Sequence, residues 1–295
     1  MILVVFLIAY LVRRRLDGYN AVSSDVLWRH WFRKGRVAKA GREPGVMAGF
    51  VLVALPAVLA AVCVYILSLY GWRVAGYPLE ILVLVLLMGA PGWRKSVEAY
   101  SDAWHKGDMQ AAWHHIQDRL PAAERGAAAS PEVMHLSLSR ALMLTVFQRF
   151  FLIAFWYVVG GVGLAIFARG LLALAEQWPQ AAARPRYLKA CEWISWIPVR
   201  LLSITFGIAG DLSGWLGEAK AAILGISKKT SEVLMISANG SLTGYALDPA
   251  RFSRVHPDEW ASFGGRSLSA VRDLLNRSML VWICVLALLV IAGVV

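Results

Sequence analysis

Apolar and polar positions fall into long blocks along this chain, not into the short alternation of a soluble globule. Residues 1–12 are apolar and run straight into Arg13, Arg14 and Arg15. A cleaved signal peptide carries its charge before the apolar stretch, so this order predicts an uncleaved anchor that ends in the cytoplasm. Residues 47–72 are uncharged and interrupted only by Pro56; a membrane helix tolerates such a proline. Residues 79–90 return after a turn at 73–78, which predicts a transmembrane hairpin with Trp72, Tyr77 and Trp93 at interface positions. Residues 150–168 form an uncharged run in which Gly160, Gly161 and Gly163 allow close helix contact or a break. Residues 197–210 are weaker, and span, re-enter or lie in the interface. Residues 279–295 are an apolar C-terminal helix.

The segments between are polar. Residues 13–46 hold nine basic and three acidic side chains, which places this loop in the cytoplasm. Loops 92–149 and 211–277 read the same way. Gly107-Asp108 predicts a helix break with Asp108 capping the next helix. Ser130-Pro131-Glu132 predicts another start, because Ser caps and Pro fits the first helical position. The alanines at 122–129 read as a linker. The pattern predicts an all-α polytopic membrane protein, one domain over 1–295, with about four to six transmembrane segments. Six crossings leave both termini outside. Four remain if 1–12 and 197–210 are only interfacial.

Composition narrows the class. Hydrophobic residues make up 58% and charged residues 17%, against about 45–50% and about 25% in an average soluble domain. This argues against a disordered chain, a disulfide scaffold and an ordinary cytosolic enzyme. Lys and Arg (30) exceed Asp and Glu (19), a net charge of +11. The excess lies in loops between apolar runs, so a lipid bilayer is the expected partner, not nucleic acid. Cys63, Cys191 and Cys284 lie in apolar stretches and form neither a disulfide framework nor a zinc spacing.

Asp102, His105, Asp108, His114, His115 and Asp118 cluster in sequence, and two pairs among them share a helix face. A solvated helix explains them better than a metal site. No Walker, HExxH or GxSxG pattern is present. Ser237-Ala238-Asn239-Gly240 reads as a turn, or as a cap offering amides to an anion. Arg149, Arg169 and Arg200 lie at or near the ends of apolar segments. Snorkelling to headgroups is their default, and convergence on an anion is the functional alternative.

The run Gln148–Gly161, with its Phe155-Trp156 and Gly160-Gly161, resembles the AmpE family of membrane proteins, as does Trp196-Ile197-Pro198-Val199-Arg200-Leu201. The anchor, hairpin and apolar C-terminus follow in the corresponding order. AmpE proteins are in turn similar to the CobD/CbiB membrane enzymes of cobalamin assembly, which implies an amide-forming ancestor using ATP and Mg²⁺. Of that pattern, Asp108 remains in Lys106-Gly107-Asp108, Trp196, Pro198 and Arg200 remain together, and Ser237 and Asn239 remain in part. The acidic positions fall on Leu144, Gln148 and Ala175, with Thr145 and Leu172 at the accompanying asparagines. A hard cation needs oxygen ligands, which Leu and Ala cannot supply.

The resemblance implies a non-catalytic accessory protein of the bacterial inner membrane, linked to cell-wall recycling and β-lactamase induction, with no resident cofactor. Asp108, Arg149, Arg169, Trp196, Arg200, Ser237 and Asn239 are its candidate ligand residues, for an anion derived from the cell wall or bearing phosphate. An enzyme using Mg²⁺ and ATP is the alternative. A scaffold holding a partner membrane protein on its Gly160/Gly163 face is the third reading.

Overall fold

The structure is a computed structural model. It describes residues 1–18, 24–33, 46–89, 92–121, 124–125, 130–219, 223, 225, 227–242 and 246–293. Most of the 122–129 linker, much of the first basic loop and Gly244 lie outside them. Every regular element among the described residues is helical. The chain divides into two compact units, one of Met1–Pro91, Phe147–Pro198 and Leu286–Val295, the other of Gly92–Val146 and Val199–Val285.

The first unit contains α1 (Ile2–Gly18), α2 (Ser24–Arg33), α3 (Val46–Leu69), α4 (Arg73–Leu87), α8 (Leu152–Gln177) and the beginning of α9 (Arg184–Ala209). Helix α1 does not stop at the arginines. Arg13 is buried, donating from Nη1 to the Val85 carbonyl at 3.1 Å and from Nη2 to Asp17 at 2.7 Å. The hairpin turn falls earlier than its sequence suggests: Gly71 adopts φ 75°, so α4 begins at Arg73 and carries Pro78 inside it.

Three helical stretches among the described residues are long and apolar enough to cross a membrane: Val46–Leu69, Pro131–Gln177 and Pro257–Ile291. Helices α1 and α4, of 17 and 15 residues, are shorter than the about 20 residues a span requires. The middle stretch joins α7 (Pro131–Val146) to α8 through a π-helical turn, Phe147–Phe151. Its 47 residues would measure about 70 Å if straight, more than twice the hydrocarbon thickness. It is not straight. Gly160 and Gly161 leave helical geometry, and Gly161 at φ 68°, ψ −164° occupies a region open essentially to glycine. The break divides residues 150–168, read from sequence as one apolar run.

After the break, α8 packs antiparallel to α3. Gly163 lies against Ala57 and Ala61, Gly170 against Val53, and Gly49 faces Leu174. A methyl group on Gly163 would sit 2.9 Å from Ala61 Cβ. The small residues therefore bring two backbones of this chain together. The Gly163 face is occupied by α3, not left for a partner helix. The opposite face of α3 exposes Val51, Leu55, Val58, Leu59 and Val62, an apolar patch suited to lipid.

The second unit contains α5 (Trp93–His105), α6 (Met109–Ile116), α7, the end of α9, α10 (Leu212–Glu218), α11 (Thr230–Ser241), α12 (Pro249–Val255) and most of α13 (Trp260–Ile291). Gly107 at φ 75° ends α5, and the Asp108 carboxylate caps α6 by accepting from Ala111 N at 2.9 Å. Ser130 opens α7, its Oγ accepting from Val133 N at 3.4 Å. Tyr100, Trp104, Ile116, Met134, Leu138 and Phe263 form the core. His135 lies inside it, between the Tyr100 hydroxyl at 3.1 Å and Ser267 Oγ at 2.8 Å.

Candidate functional site

Arg149 and Arg169 are 20 positions apart, about 30 Å along a straight helix. That is too far for two side chains to meet on one small group. The Gly160-Gly161 break removes the obstacle. The π-helical turn carries Arg149, and π turns re-aim the side chains of the helix that contains them. Both guanidiniums then reach Asp25, in the first turn of α2. Arg149 Nη2 donates to Asp25 Oδ2 at 2.8 Å, and Arg169 Nη2 donates to Asp25 Oδ1.

Helix α2 is seated for this role by its apolar face. Trp28 and Phe32 are one turn apart and buried; Phe32 meets Trp178 edge-on, and Trp28 lies over Gly170. Trp31 Nε1 donates to the Leu52 carbonyl at 2.8 Å. Gly170 follows Arg169 directly, so the glycine that admits Trp28 also sets α2 beside the arginine.

Burial is uneven. The Arg169 side chain is 0% exposed, Arg149 14% and Asp25 27%. Arg169 lies inside α8, two turns before its end, so it does not snorkel to an interface as its sequence position suggests. Its Nε and Nη1 have no hydrogen-bond partner among the described residues. A buried donor without an acceptor costs about 1–3 kcal/mol, and more when charged. The nearest further acid, Glu176, places Oε2 3.8 Å from Arg169 Nη2, with its side chain 43% exposed. Two guanidiniums, one bridging carboxylate and vacant buried N–H groups can hold an anion.

The remaining candidates each have a setting of their own. Arg200 belongs to the other unit, where Nε donates to the Ile223 carbonyl at 3.0 Å and Nη2 to the Gly225 carbonyl at 2.8 Å. Ser237 and Asn239 lie within α11, so they form neither a turn nor an amide cradle. Ser237 Oγ is 2.5 Å from Ser203 Oγ, which accepts from Trp215 Nε1 at 3.3 Å. Asn239 Nδ2 donates to Glu218 at 2.8 Å. Gly214 and Gly240 bring α10 and α11 into backbone contact here, so these small polar residues serve a helix crossing. Trp196 is 37% exposed on α9. Asp108 is exposed and engaged as a cap. Among the described residues, no group of three or more His, Cys, Asp or Glu is arranged to hold a metal ion.

Asp25 is the residue that sequence reasoning missed, because it reads as one charge among twelve in the first basic loop. The signal available was Trp28 and Phe32 at i, i+4 beside it, an amphipathic turn inside a segment read as loop. His135 was equally hidden, as a lone histidine in an apolar run.

Comparison with known proteins gives one identification. No curated protein and no solved structure matches the chain. A family profile described as regulatory signalling modulator protein AmpE matches residues 24–295, and the chain therefore belongs to the AmpE family.

Proposed function

We propose that this protein is a non-catalytic regulator of the bacterial inner membrane, linked to cell-wall recycling and β-lactamase induction, that responds to an anionic ligand held by Arg149 and Arg169. One observation carries the ligand reading: Arg169 is fully buried and its Nε and Nη1 lack acceptors among the described residues. Family membership supports the regulatory role. Three apolar stretches of spanning length support residence in a bilayer, which is the first partner of such a chain.

Catalysis is not part of the proposal, and neither Mg²⁺ nor ATP is given a resident place. The reasons are chemical. On the resemblance to the CobD/CbiB synthases, Leu144 and Ala175 take the places of acids and Gln148 offers only a neutral carbonyl, and the Asp108 carboxylate is committed to a helix cap.

The test is genetic. A strain lacking this protein, complemented with the wild-type chain or with Arg169→Lys, is challenged with a β-lactam, and hydrolysis of a chromogenic β-lactam is followed. The wild-type chain should restore the induction response. Arg169→Lys should not, at equal protein abundance, because an ammonium lacks the planar fork of donors that presents one edge to Asp25 and others to a second acceptor. Induction that is unaltered in the deletion strain rules the proposal out.

A further inference from the structure

Two features of the Arg149–Arg169 site go beyond its capacity to hold an anion: it already contains one, and it still lacks acceptors. Asp25 gives one oxygen to each guanidinium. Among the described residues, Nε and Nη1 of the buried Arg169 are left without any. Within the triad one carboxylate bridges two guanidiniums. Glu176 sits at 3.8 Å and is 43% exposed, so water screens much of its compensation.

We propose, resting on the receptor reading above, that Asp25 is the resting occupant of this site and that a phosphate monoester displaces it. A phosphate monoester carries close to two negative charges near neutral pH and three terminal acceptor oxygens. It matches two guanidiniums in charge and has an oxygen to spare for the vacant Arg169 N–H groups, which a carboxylate has not. The same chemistry is offered by a soluble phosphate ester and by a lipid with a monoester headgroup.

Helix α2 is built to survive the exchange. Asp25 ties down only its first turn. Trp28, Trp31 and Phe32 hold the rest through Gly170, the Leu52 carbonyl and Trp178. Displacement therefore frees the beginning of α2 and leaves its end docked. The freed first turn is the structural change that a regulator could pass on.

The full chain in detergent is titrated with inorganic phosphate and glycerol phosphate by calorimetry, and in phosphatidylcholine vesicles with and without phosphatidic acid. Binding to the soluble anions or to phosphatidic acid supports the site, and the responding arm identifies the source. Arg169→Lys and Arg149→Lys should each weaken binding at least about tenfold. Asp25→Asn should strengthen it about tenfold, since the internal competitor loses its charge. The opposite signs are the signature. An Asp25→Asn chain that binds no better than the wild type overturns the proposal, as does absence of binding in every arm.

Hydrogen exchange on the wild-type chain needs no variant. The amides of Trp28 and Arg29, which donate to carbonyls of the first turn, should exchange faster with phosphate present. Slower exchange there means that phosphate joins Asp25 instead of replacing it, and the displacement idea fails. Lost induction in Arg169→Lys with no phosphate binding anywhere sinks this inference and leaves the receptor reading standing. Phosphate binding with intact induction in Arg169→Lys does the reverse.

Discussion

Both units bury polar side chains among aromatic rings, and they do so in opposite ways. In the second unit the Tyr100 hydroxyl donates to His135 Nδ1, His135 Nε2 donates to Ser267 Oγ, and Ser267 donates to the Ala246 carbonyl. That order follows from the end of the chain: a serine that gives its proton to a carbonyl can only accept from the imidazole. Both ring nitrogens are occupied, and a neutral histidine is what the arrangement requires. Trp104 and Phe263 close around it. In the first unit the buried Arg169 has one nitrogen on Asp25 and two with no partner among the described residues. A completed network fixes a fold, whereas an incomplete one around a charge carries the cost of its unpaired donors.

The comparison can be broken most forcefully at Trp104, fully buried and donating to the Trp260 carbonyl at 3.0 Å. Trp104→Ala should cost about 3–5 kcal/mol, read as a lower melting temperature in detergent. Signalling should fall only with the amount of folded protein. A chain that melts normally yet fails to signal would move the functional site into the second unit.

Gly161 tests the other side. At φ 68° and ψ −164° an L side chain is strained by about 1–3 kcal/mol. Gly161→Ala should lower stability by that amount. It should also abolish the proposed induction response in the protein that remains folded, since the break sets Arg149 and Arg169 on one carboxylate. Full signalling from Gly161→Ala would separate the arginine pair from function.

Tyr100→Phe removes one donor from the completed network and should cost about 1–2 kcal/mol, with signalling per folded molecule unchanged. It also carries a pH signature. Burial raises the Tyr100 phenol above its ordinary value, so the folded state holds that proton more tightly than the unfolded state. Its contribution is therefore complete below about pH 10, the unfolded phenol's value, and is lost as pH rises beyond it. The melting temperature of Tyr100→Phe should fall less steeply above that pH than that of the wild type. Equal slopes would show that the phenol is not held as described.

The smallest effect belongs to Asp108. Asp108→Ala removes the α6 cap and should cost about 1 kcal/mol, with an intact β-lactam response. Loss of the response in a folded Asp108→Ala chain would return this carboxylate, and an enzymatic reading, to consideration.

What the sequence determined by itself is what local and compositional rules control. Uncharged runs such as 47–72 can only be helices in an apolar environment, because lipid offers no partner for backbone groups. Gly107-Asp108 and Ser130-Pro131 mark helix ends by chemistry confined to three or four residues. The AmpE resemblance was equally legible, in Phe155-Trp156, Gly160-Gly161 and Trp196-Ile197-Pro198-Val199-Arg200-Leu201. Tertiary structure alone decided which charges meet. Arg149 and Arg169 are separated by 124 and 144 positions from the Asp25 carboxylate they share, and their convergence depends on one glycine break, one π turn and the seat of Trp28 on Gly170. No local pattern encodes that, because an ion pair is specified by distance in space, and charge order along the chain leaves that distance free.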